Sequence, residues 1–368
     1  MAPSLALREV RLARMASMLL ADSEPRTPLE VVRWFGAMQA QDAASGHWSV
    51  GVRCPGSTEP DILAAFERGD IVRTWPMRGT IHIVPGVDVR WMLALTGVRA
   101  LDGAQRRREY LGLTLDDAER TCSVLGDALS GGAVLTRSQC LAALADAGID
   151  ASGQRGYHLL WFAAQSGVTC IGPQRGSDQT FVLLEDWAPQ QNAPARDEAL
   201  AELLLRFVRS HGPVPLKDFA GWTGLTMSDA KTALRSSAGS VVPVETEAGQ
   251  MCATTELADL LGAGTMRDHP VAALPGFDEF ILGYKDRTLQ VPAGAMDQIV
   301  PGGNGVFRAT VVADGSVVAT WKRTARKDTV TVEVEPIGSW SPELANAAEE
   351  ALRPFAAFLG KQLALTTI

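Results

Sequence analysis

Apolar residues near the start of the chain recur with the spacing of amphipathic helices. Residues 5–20 form one such run, and Thr27 followed by Pro28 has the composition of a helix start, with a capping residue and proline in the first turn. Another helix is predicted after Thr58. The short apolar run from Trp48 to Val52 is interpreted as strand-like.

After these helices the pattern changes to short β-prone runs, at residues 71–75 and 80–84, which predict a small hairpin. Helices followed by a hairpin are typical of a winged-helix unit. The same order recurs twice, about 60 to 90 residues apart, and predicts an internal structural repeat. The second copy comprises helices from Thr136 and at 156–165, runs 168–171 and 180–184, and a wing tip at 172–179. The third copy comprises a helix from Asp197, short helices at 216–222 and 226–234, and a strand at 241–245.

From Leu274 onward the apolar pattern is that of strands, followed by one closing helix over residues 342–365. Asp314-Gly315 is a strong two-residue hairpin turn. The strands are expected at residues 280–284, 306–313, 317–323 and 330–335.

The fold class expected from these patterns is α+β, with tandem winged-helix (helix-turn-helix) units and a C-terminal β-rich, barrel-like module. The predicted boundaries are residues 1–100, 101–190 and 191–272 for the three winged-helix units, the first carrying a Gln-x-Gln motif, and 273–368 for the β-rich module with its closing helix.

Composition narrows the class of protein. A hydrophobic content of 46% with 21% charged residues excludes a disordered or fibrous chain. No apolar run reaches the roughly 20 residues that a bilayer requires, and charged residues interrupt the N-terminal helix, so a cytoplasmic protein without a membrane partner is expected. Five irregularly spaced cysteines predict free buried thiols, and neither a metal site nor a cofactor is expected.

The net charge of −8 at first argues against nucleic acid as a partner, because phosphate contacts require cations. Clustering matters more than the total, however. Lys322, Arg323, Arg326 and Lys327 lie within six positions of a predicted hairpin. We therefore expect this cluster to be either a DNA-binding hairpin or a solvated strand end.

Three segments carry a resemblance to a known family. They are Met38-Gln39-Ala40-Gln41-Asp42, the run from Arg73 to His82, and the run from Leu274 to Arg287. In order and spacing they resemble the winged-helix DNA glycosylases of the alkylpurine and interstrand-crosslink repair type, whose actinobacterial members include the azinomycin-resistance enzyme. The three segments together span most of the chain.

The resemblance implies a monofunctional DNA glycosylase of base excision repair, acting as a monomer on double-stranded DNA that carries alkylated bases. It implies excision of N7-alkylated purines, with interstrand crosslinks as a further substrate class, and Gln39 and Gln41 at the centre of a DNA channel as the catalytic residues. Self-resistance to an antibiotic and general repair both remain open. So does the alternative of a non-catalytic winged-helix regulator, since fold alone does not establish catalysis.

The chemistry of glutamine agrees with such a substrate. A guanine alkylated at N7 is already cationic and leaves as a neutral base, so a general acid is dispensable. A glutamine carbonyl oxygen can hold the attacking water and direct a negative dipole at the sugar. Side chains two residues apart lie on different sides of a helix, so Gln39 and Gln41 could not converge from one. The helix from Pro28 is therefore predicted to end or distort near Gln39 to Ala44.

Other polar residues have competing interpretations. Asp42 is either a base or a capping or salt-bridging residue. Arg78 and His82 are both candidates for contact with phosphate or the lesion, but His82, between two isoleucines, is interpreted rather as a partly buried structural group. The polar run that contains Asp278, Tyr284, Lys285 and Arg287 is predicted to form an internal ion-pair network.

Overall fold

The computed structural model describes residues 4–21, 24–176, 178–264 and 269–368. Their elements form a mixed α+β fold in two compact units. One unit comprises residues 1–62, 200–222 and 226–368, and the other comprises residues 63–199 and 223–225. This division into two units does not test the four predicted domains, whose boundaries stay a prediction. None of the described helices is long and apolar enough to cross a membrane.

The unit that contains Gln39 is assembled from segments far apart in sequence. Its helices, three of which continue across a unit boundary, are Leu7–Ser17, Pro28–Phe35, Ala43–Gly51, Glu59–Glu67, Arg196–His211, Leu216–Thr223, Met227–Ser236, Thr255–Gly262, Glu279–Leu282, Met296–Ile299 and Pro342–Phe358. Its strands are Met38–Gln39, Val241–Thr246, Gly249–Thr254, Ala272–Leu274, Ala309–Ala313, Ser316–Ala325, Thr329–Pro336 and Gln362–Thr367.

The other unit has an aromatic and aliphatic core that includes Trp75, Leu125 and Phe162. Its strands lie in the order Thr80–Pro85, Ile71–Met77, Thr169–Ile171, Thr180–Leu183 and Leu135–Thr136. Its helical segments are Val89–Met92, Leu93–Gly97, Val98–Gly103, Gln105–Tyr110, Leu115–Leu129, Arg137–Asp146, Gln154–Gln165 and Leu184–Trp187.

Most elements with clear local signals are confirmed. Thr27 caps the helix that starts at Pro28, and the predicted hairpin forms from Ile71–Met77 and Thr80–Pro85. The helix and hairpin order of the second and third copies is also present, although Ser177 of the predicted wing tip lies outside the described residues. The five cysteines are free, four of them buried.

Three predicted elements are wrong. The run Trp48 to Val52 belongs to the helix Ala43–Gly51 and its C-cap, because the Asp42 carboxylate caps that helix by accepting from the Ser45 N–H. Asp278 similarly caps a short helix, Glu279–Leu282, where a strand over 280–284 was expected. The closing helix ends at Phe358 rather than Leu365 because Gly360, with a φ of 63°, turns the chain into a further strand.

The C-terminal β-rich module is not a barrel. Its five strands form an open sheet in the order Gln362–Thr367, Thr329–Pro336, Ser316–Ala325, Ala309–Ala313 and Ala272–Leu274. Gln362–Thr367 and Ala272–Leu274 lie at opposite edges of this sheet and do not pair with each other. Gln362–Thr367 pairs only with Thr329–Pro336, to which it runs parallel. The predicted turn at Asp314-Gly315 joins Ala309–Ala313 to Ser316–Ala325.

An aromatic cluster joins this sheet to the helix that follows the glutamine motif. The Trp48 ring lies 5.2 Å from Phe355 and 5.1 Å from Phe358, and Phe355 in turn lies 5.1 Å from Trp321 of the sheet. The indole N–H of Trp48 donates to the Ala273 carbonyl oxygen at 3.0 Å. The helix Ala43–Gly51 is therefore fixed on the sheet by large buried side chains.

Gly51 is required by this packing. A β-carbon at this position would lie 2.6 Å from the Phe358 ring, closer than van der Waals contact. We expect Gly51→Ala to lower the free energy of unfolding by about 1–3 kcal/mol, as overpacked core substitutions do. Gly262→Ala, at the end of a helix with open space around the new methyl group, should leave the free energy of unfolding unchanged or raise it by roughly a few tenths of a kcal/mol. Urea denaturation of both variants checks this, and equal effects of the two would contradict it.

Candidate functional site

The glutamine motif lies in a non-helical segment between two helices. The helix Pro28–Phe35 ends at Phe35, Met38–Gln39 is extended, and the next helix begins at Ala43. Gln39 is half-buried and Gln41 is exposed. The helix from Pro28 ends at Phe35, earlier than the predicted end near Gln39 to Ala44, because Gly36 with a φ of 79° follows as its C-cap; both glutamines therefore lie outside it.

A buried carboxylate holds the main chain of this segment. The N–H of Gln39 donates to Oε1 of Glu279 at 2.6 Å, although the two residues are 240 positions apart. Glu279 is only 1% exposed. Its other oxygen accepts from the indole N–H of Trp222 at 3.0 Å and lies 3.3 Å from Nε2 of His211. Because this buried acceptor is itself held by Trp222 and lies beside His211, Gln39 has a fixed main-chain position.

Glu279 is itself fixed by the residue before it. Asp278 makes a bidentate ion pair with Arg53, both contacts at 2.8 Å, and accepts a further hydrogen bond from the Ser49 hydroxyl at 2.8 Å. Arg53 also donates to the Met18 carbonyl oxygen, and neither charged side chain is more than 1% exposed. Removal of either side chain of such a pair strongly destabilises a protein, because the other would remain as an uncompensated buried charge.

These contacts connect the motif to itself through a second segment of the chain. Gln39 is followed in sequence by the helix Ala43–Gly51 and then by Arg53. Arg53 pairs with Asp278, the neighbour of Glu279, which binds the Gln39 N–H. The His211 ring packs directly against Gly283, where a β-carbon would lie 2.2 Å from that ring.

The polar run from Asp278 forms part of the internal ion-pair network that was predicted. Tyr284 is buried, with Arg14 over its ring at 4.0 Å, whereas Lys285 is exposed.

Asp42 has the structural role that was one of its two predicted interpretations. Its Oδ2 accepts the N–H of Ser45 at 2.8 Å and lies 3.6 Å from Nη2 of Arg323. Arg323, one of the predicted DNA-binding residues, also lies with its guanidinium carbon 5.5 Å from the Phe355 ring centroid. The chain next to Gln41 is therefore tied to the strand Ser316–Ala325.

The other members of the basic cluster lie at or near the turn that follows this strand. Arg326 and Lys327 are exposed in the turn between Ser316–Ala325 and Thr329–Pro336. Lys322 is exposed too, and its ammonium lies 2.8 Å from a Glu333 carboxylate oxygen. A surface pair of this kind contributes little to stability.

Sequence reasoning missed Lys361, which braces this turn. Its ammonium donates to the carbonyl oxygens of Arg326 at 2.6 Å and Lys327 at 2.7 Å. Lys361 lies where the closing helix was expected to continue, just before the strand Gln362–Thr367, and its partners are 34 and 35 positions away, so no local pattern could have indicated this contact. These contacts hold the main-chain carbonyl groups of the turn, and the side chains of Arg326 and Lys327 remain exposed.

Two predicted residues lie in the other unit. Arg78 is exposed at the turn of the first hairpin with a φ of 53°. His82 is fully buried, and its Nδ1 lies 2.9 Å from the Thr80 carbonyl oxygen, which confirms its interpretation as a buried structural group.

Comparisons with known proteins agree with the resemblance. Over 349 residues, 88% of this chain and 92% of the relative, the sequence is 27% identical to an interstrand DNA cross-link repair glycosylase of Streptomyces sahachiroi. The fold is similar to that of the solved Streptomyces sahachiroi DNA glycosylase AlkZ, with a TM-score of 0.82, 22% identity and complete coverage of both chains. Residues 32–358 match the family described as DNA glycosylase AlkZ-like. The chain accordingly belongs to the AlkZ-like family of DNA glycosylases.

Proposed function

We propose that this glycosylase releases N7-alkylated purines from double-stranded DNA, with Gln39 and Gln41 holding the attacking water. The observation that carries the proposal is the hydrogen bond from the Gln39 main chain to the buried Glu279 carboxylate, which gives a glutamine the fixed position that water activation by positioning requires. Since Gln41 follows on the same non-helical segment, both amides can face one water molecule.

In this reaction water adds to C1′ of the deoxyribose while the bond from C1′ to N9 breaks. The bonding electrons pass to the purine, which was cationic and leaves neutral, and the proton from the water passes to solvent. The glutamine carbonyl oxygens accept hydrogen bonds from the water and stabilise the oxocarbenium character of the sugar. An undamaged purine has no such leaving ability, so amides alone would spare it.

The commitment of Asp42 to other contacts supports this assignment. Its carboxylate is engaged in capping the helix Ala43–Gly51 and in pairing with Arg323, which a free general base would not be. The relative's activity in interstrand cross-link repair leads us to extend the proposal to crosslinks joined through N7 of purines. Such a lesion ties both strands together, so attack on a nucleotide left largely in place suits it better than full base flipping.

The predicted winged-helix units would supply the remaining contacts to DNA, with the basic hairpin turn of Arg326 and Lys327 as a phosphate-binding element. Its strands place both side chains in solvent, and the Lys361 brace keeps the turn ordered before DNA arrives. A preorganised cationic turn loses less entropy on binding than a mobile one.

Removal of both glutamine amides tests the chemistry. Gln39→Ala and Gln41→Ala should each lower the single-turnover excision rate of 7-methylguanine by about 10²-fold, as removal of a preorganised transition-state contact does. DNA affinity should be unchanged. Alkaline cleavage of a duplex with one 7-methylguanine measures the abasic product.

Gln250→Ala, at an exposed glutamine of a two-stranded hairpin in the same unit, is the matched control and should excise at the wild-type rate. If the Gln39→Ala, Gln41→Ala double variant retains the wild-type rate, the glutamines have no catalytic role.

A second variant tests the basic turn. Arg326→Ala combined with Lys327→Ala should weaken duplex binding and lower the slope of log affinity against log salt by about two, because two phosphate contacts are lost. Fluorescence anisotropy titrations at several salt concentrations give both quantities. Arg235→Ala combined with Arg353→Ala removes the same charge from two exposed helix positions. An equal loss of affinity in both double variants would mean that total charge, rather than the turn, is responsible.

A further inference from the structure

An open cleft of about 410 Å³ lies within the unit formed by residues 63–199 and 223–225. It is bordered by the turn of the first hairpin, by the helices Val98–Gly103 and Gln105–Tyr110, and by the first turns of the helix Gln154–Gln165. No carboxylate is among its lining residues. The polar and aromatic lining consists of Arg78, Arg107, Gln154, Tyr157, His158 and Trp161.

Two arginines give the cleft its charge. Arg78 is held at the hairpin turn, where its φ of 53° fixes an uncommon backbone conformation. Arg107 donates a hydrogen bond to the side-chain oxygen of Gln154, and its guanidinium carbon lies 5.2 Å from the ring centroid of Tyr110. The positive end of the helix Gln154–Gln165, whose N-cap Gly153 supplies no side-chain hydrogen bond, adds to the favourable potential for an anion.

The cleft also presents an aromatic surface. Tyr157 is 50% exposed, which is unusual for a large aromatic side chain, and the guanidinium carbon of Arg137 lies 5.8 Å from its ring centroid. Trp161 follows one helical turn later and therefore lies on the same face of the helix. An exposed ring beside arginines is the usual platform for a nucleobase.

His158 lines the cleft next to Trp161. The side chain is 5% exposed, its ring lies 5.6 Å from that of Trp161, and its Nε2 has no hydrogen-bond partner in the described part of the chain. Burial, together with Arg108 and Arg107, lowers the pKa of His158, so the imidazole is neutral at pH 7. A neutral imidazole adds no charge to the cleft, so the positive charge of its lining comes from Arg78 and Arg107.

From this combination we infer that the cleft binds one unstacked nucleotide of a DNA strand, with its phosphate between Arg78 and Arg107 and its base on Tyr157. The site lies in the other unit from Gln39 and does not depend on the proposed glutamine chemistry. A free mononucleotide offers the same phosphate and the same flat ring. We assign the cleft to a strand because the family acts on DNA and because the cleft is open to solvent, which leaves room for the chain to continue on both sides.

The experiment measures binding of a fluorescein-labelled 20-nucleotide single strand and of the corresponding undamaged duplex by anisotropy. Tyr157→Ala should raise the dissociation constant for the single strand about tenfold, within the range found for loss of one stacked base, and affect the duplex less. Tyr157→Phe should restore affinity, because stacking needs the ring and not the hydroxyl. Arg107→Ala should also weaken binding and lower the salt slope by about one.

Leu115→Ala is the control, since Leu115 is 48% exposed in the same unit and does not line the cleft; it should stay within twofold of wild type. Thermal melting establishes that each variant is folded. Wild-type affinity in folded Tyr157→Ala and Arg107→Ala variants would overturn the inference. A dissociation constant for dGMP, measured by competition, that is no higher than that of the strand and that rises in Tyr157→Ala would replace the strand with a free mononucleotide as the ligand. The excision rate of the Tyr157→Ala variant is also measured at saturating DNA. It should equal that of wild type, because the cleft contributes to binding and not to the glutamine chemistry, so a failure of one proposal is distinguishable from a failure of the other.

Discussion

The hydrogen bond between the buried Glu279 carboxylate and the main-chain N–H of Gln39 is the contact on which the candidate site depends. A glutamine has no acid or base function near neutral pH, so its contribution to catalysis comes entirely from where its amide is held. Glu279 provides that constraint through the main chain and leaves the Gln39 side chain available. Asp278, paired with Arg53, keeps Glu279 in place, and the two neighbouring carboxylates thus have distinct supporting roles.

Stability and function are coupled in this arrangement. The helix Ala43–Gly51 is held on the sheet by Trp48, Phe355 and Phe358, and the same helix leads to Arg53, which reaches Asp278. The Asp42 and Arg323 contact ties the other side of the motif to the sheet. A change in this packing would therefore alter the position of the glutamines without touching them.

Local signals in the sequence predicted the elements whose causes are local. The Thr27-Pro28 start, the Asp314-Gly315 turn and the first hairpin all follow from residues adjacent in the chain. The run from Trp48 to Val52 was misassigned because a short apolar run fits a buried strand and a buried helix equally well, and only the Asp42 cap and the aromatic packing decide between them. The barrel was wrong for a similar reason, since the pairing of edge strands is a long-range property that strand patterns do not contain.

The same distinction applies to the site. Gln39 and Gln41 could be singled out from the sequence through the family resemblance, and geometry predicted that they lie outside a regular helix, although not that the helix from Pro28 ends as early as Phe35. The support from Glu279 could not, because it joins residues 240 positions apart, and neither could the brace of the basic turn by Lys361. The net charge of −8 likewise gave little guidance, since the cationic turn and the arginine cleft are small parts of an acidic chain.

The most direct measurement of the central claim is the single-turnover rate at which Glu279→Gln releases 7-methylguanine from duplex DNA. This substitution keeps the shape of the side chain but weakens the acceptor for the Gln39 N–H. The account predicts an excision rate lower by about 10- to 100-fold, as small displacements of catalytic groups produce, with unchanged DNA affinity and a folded protein. An excision rate equal to that of wild type would show that the position of Gln39 does not depend on Glu279, and would contradict the account.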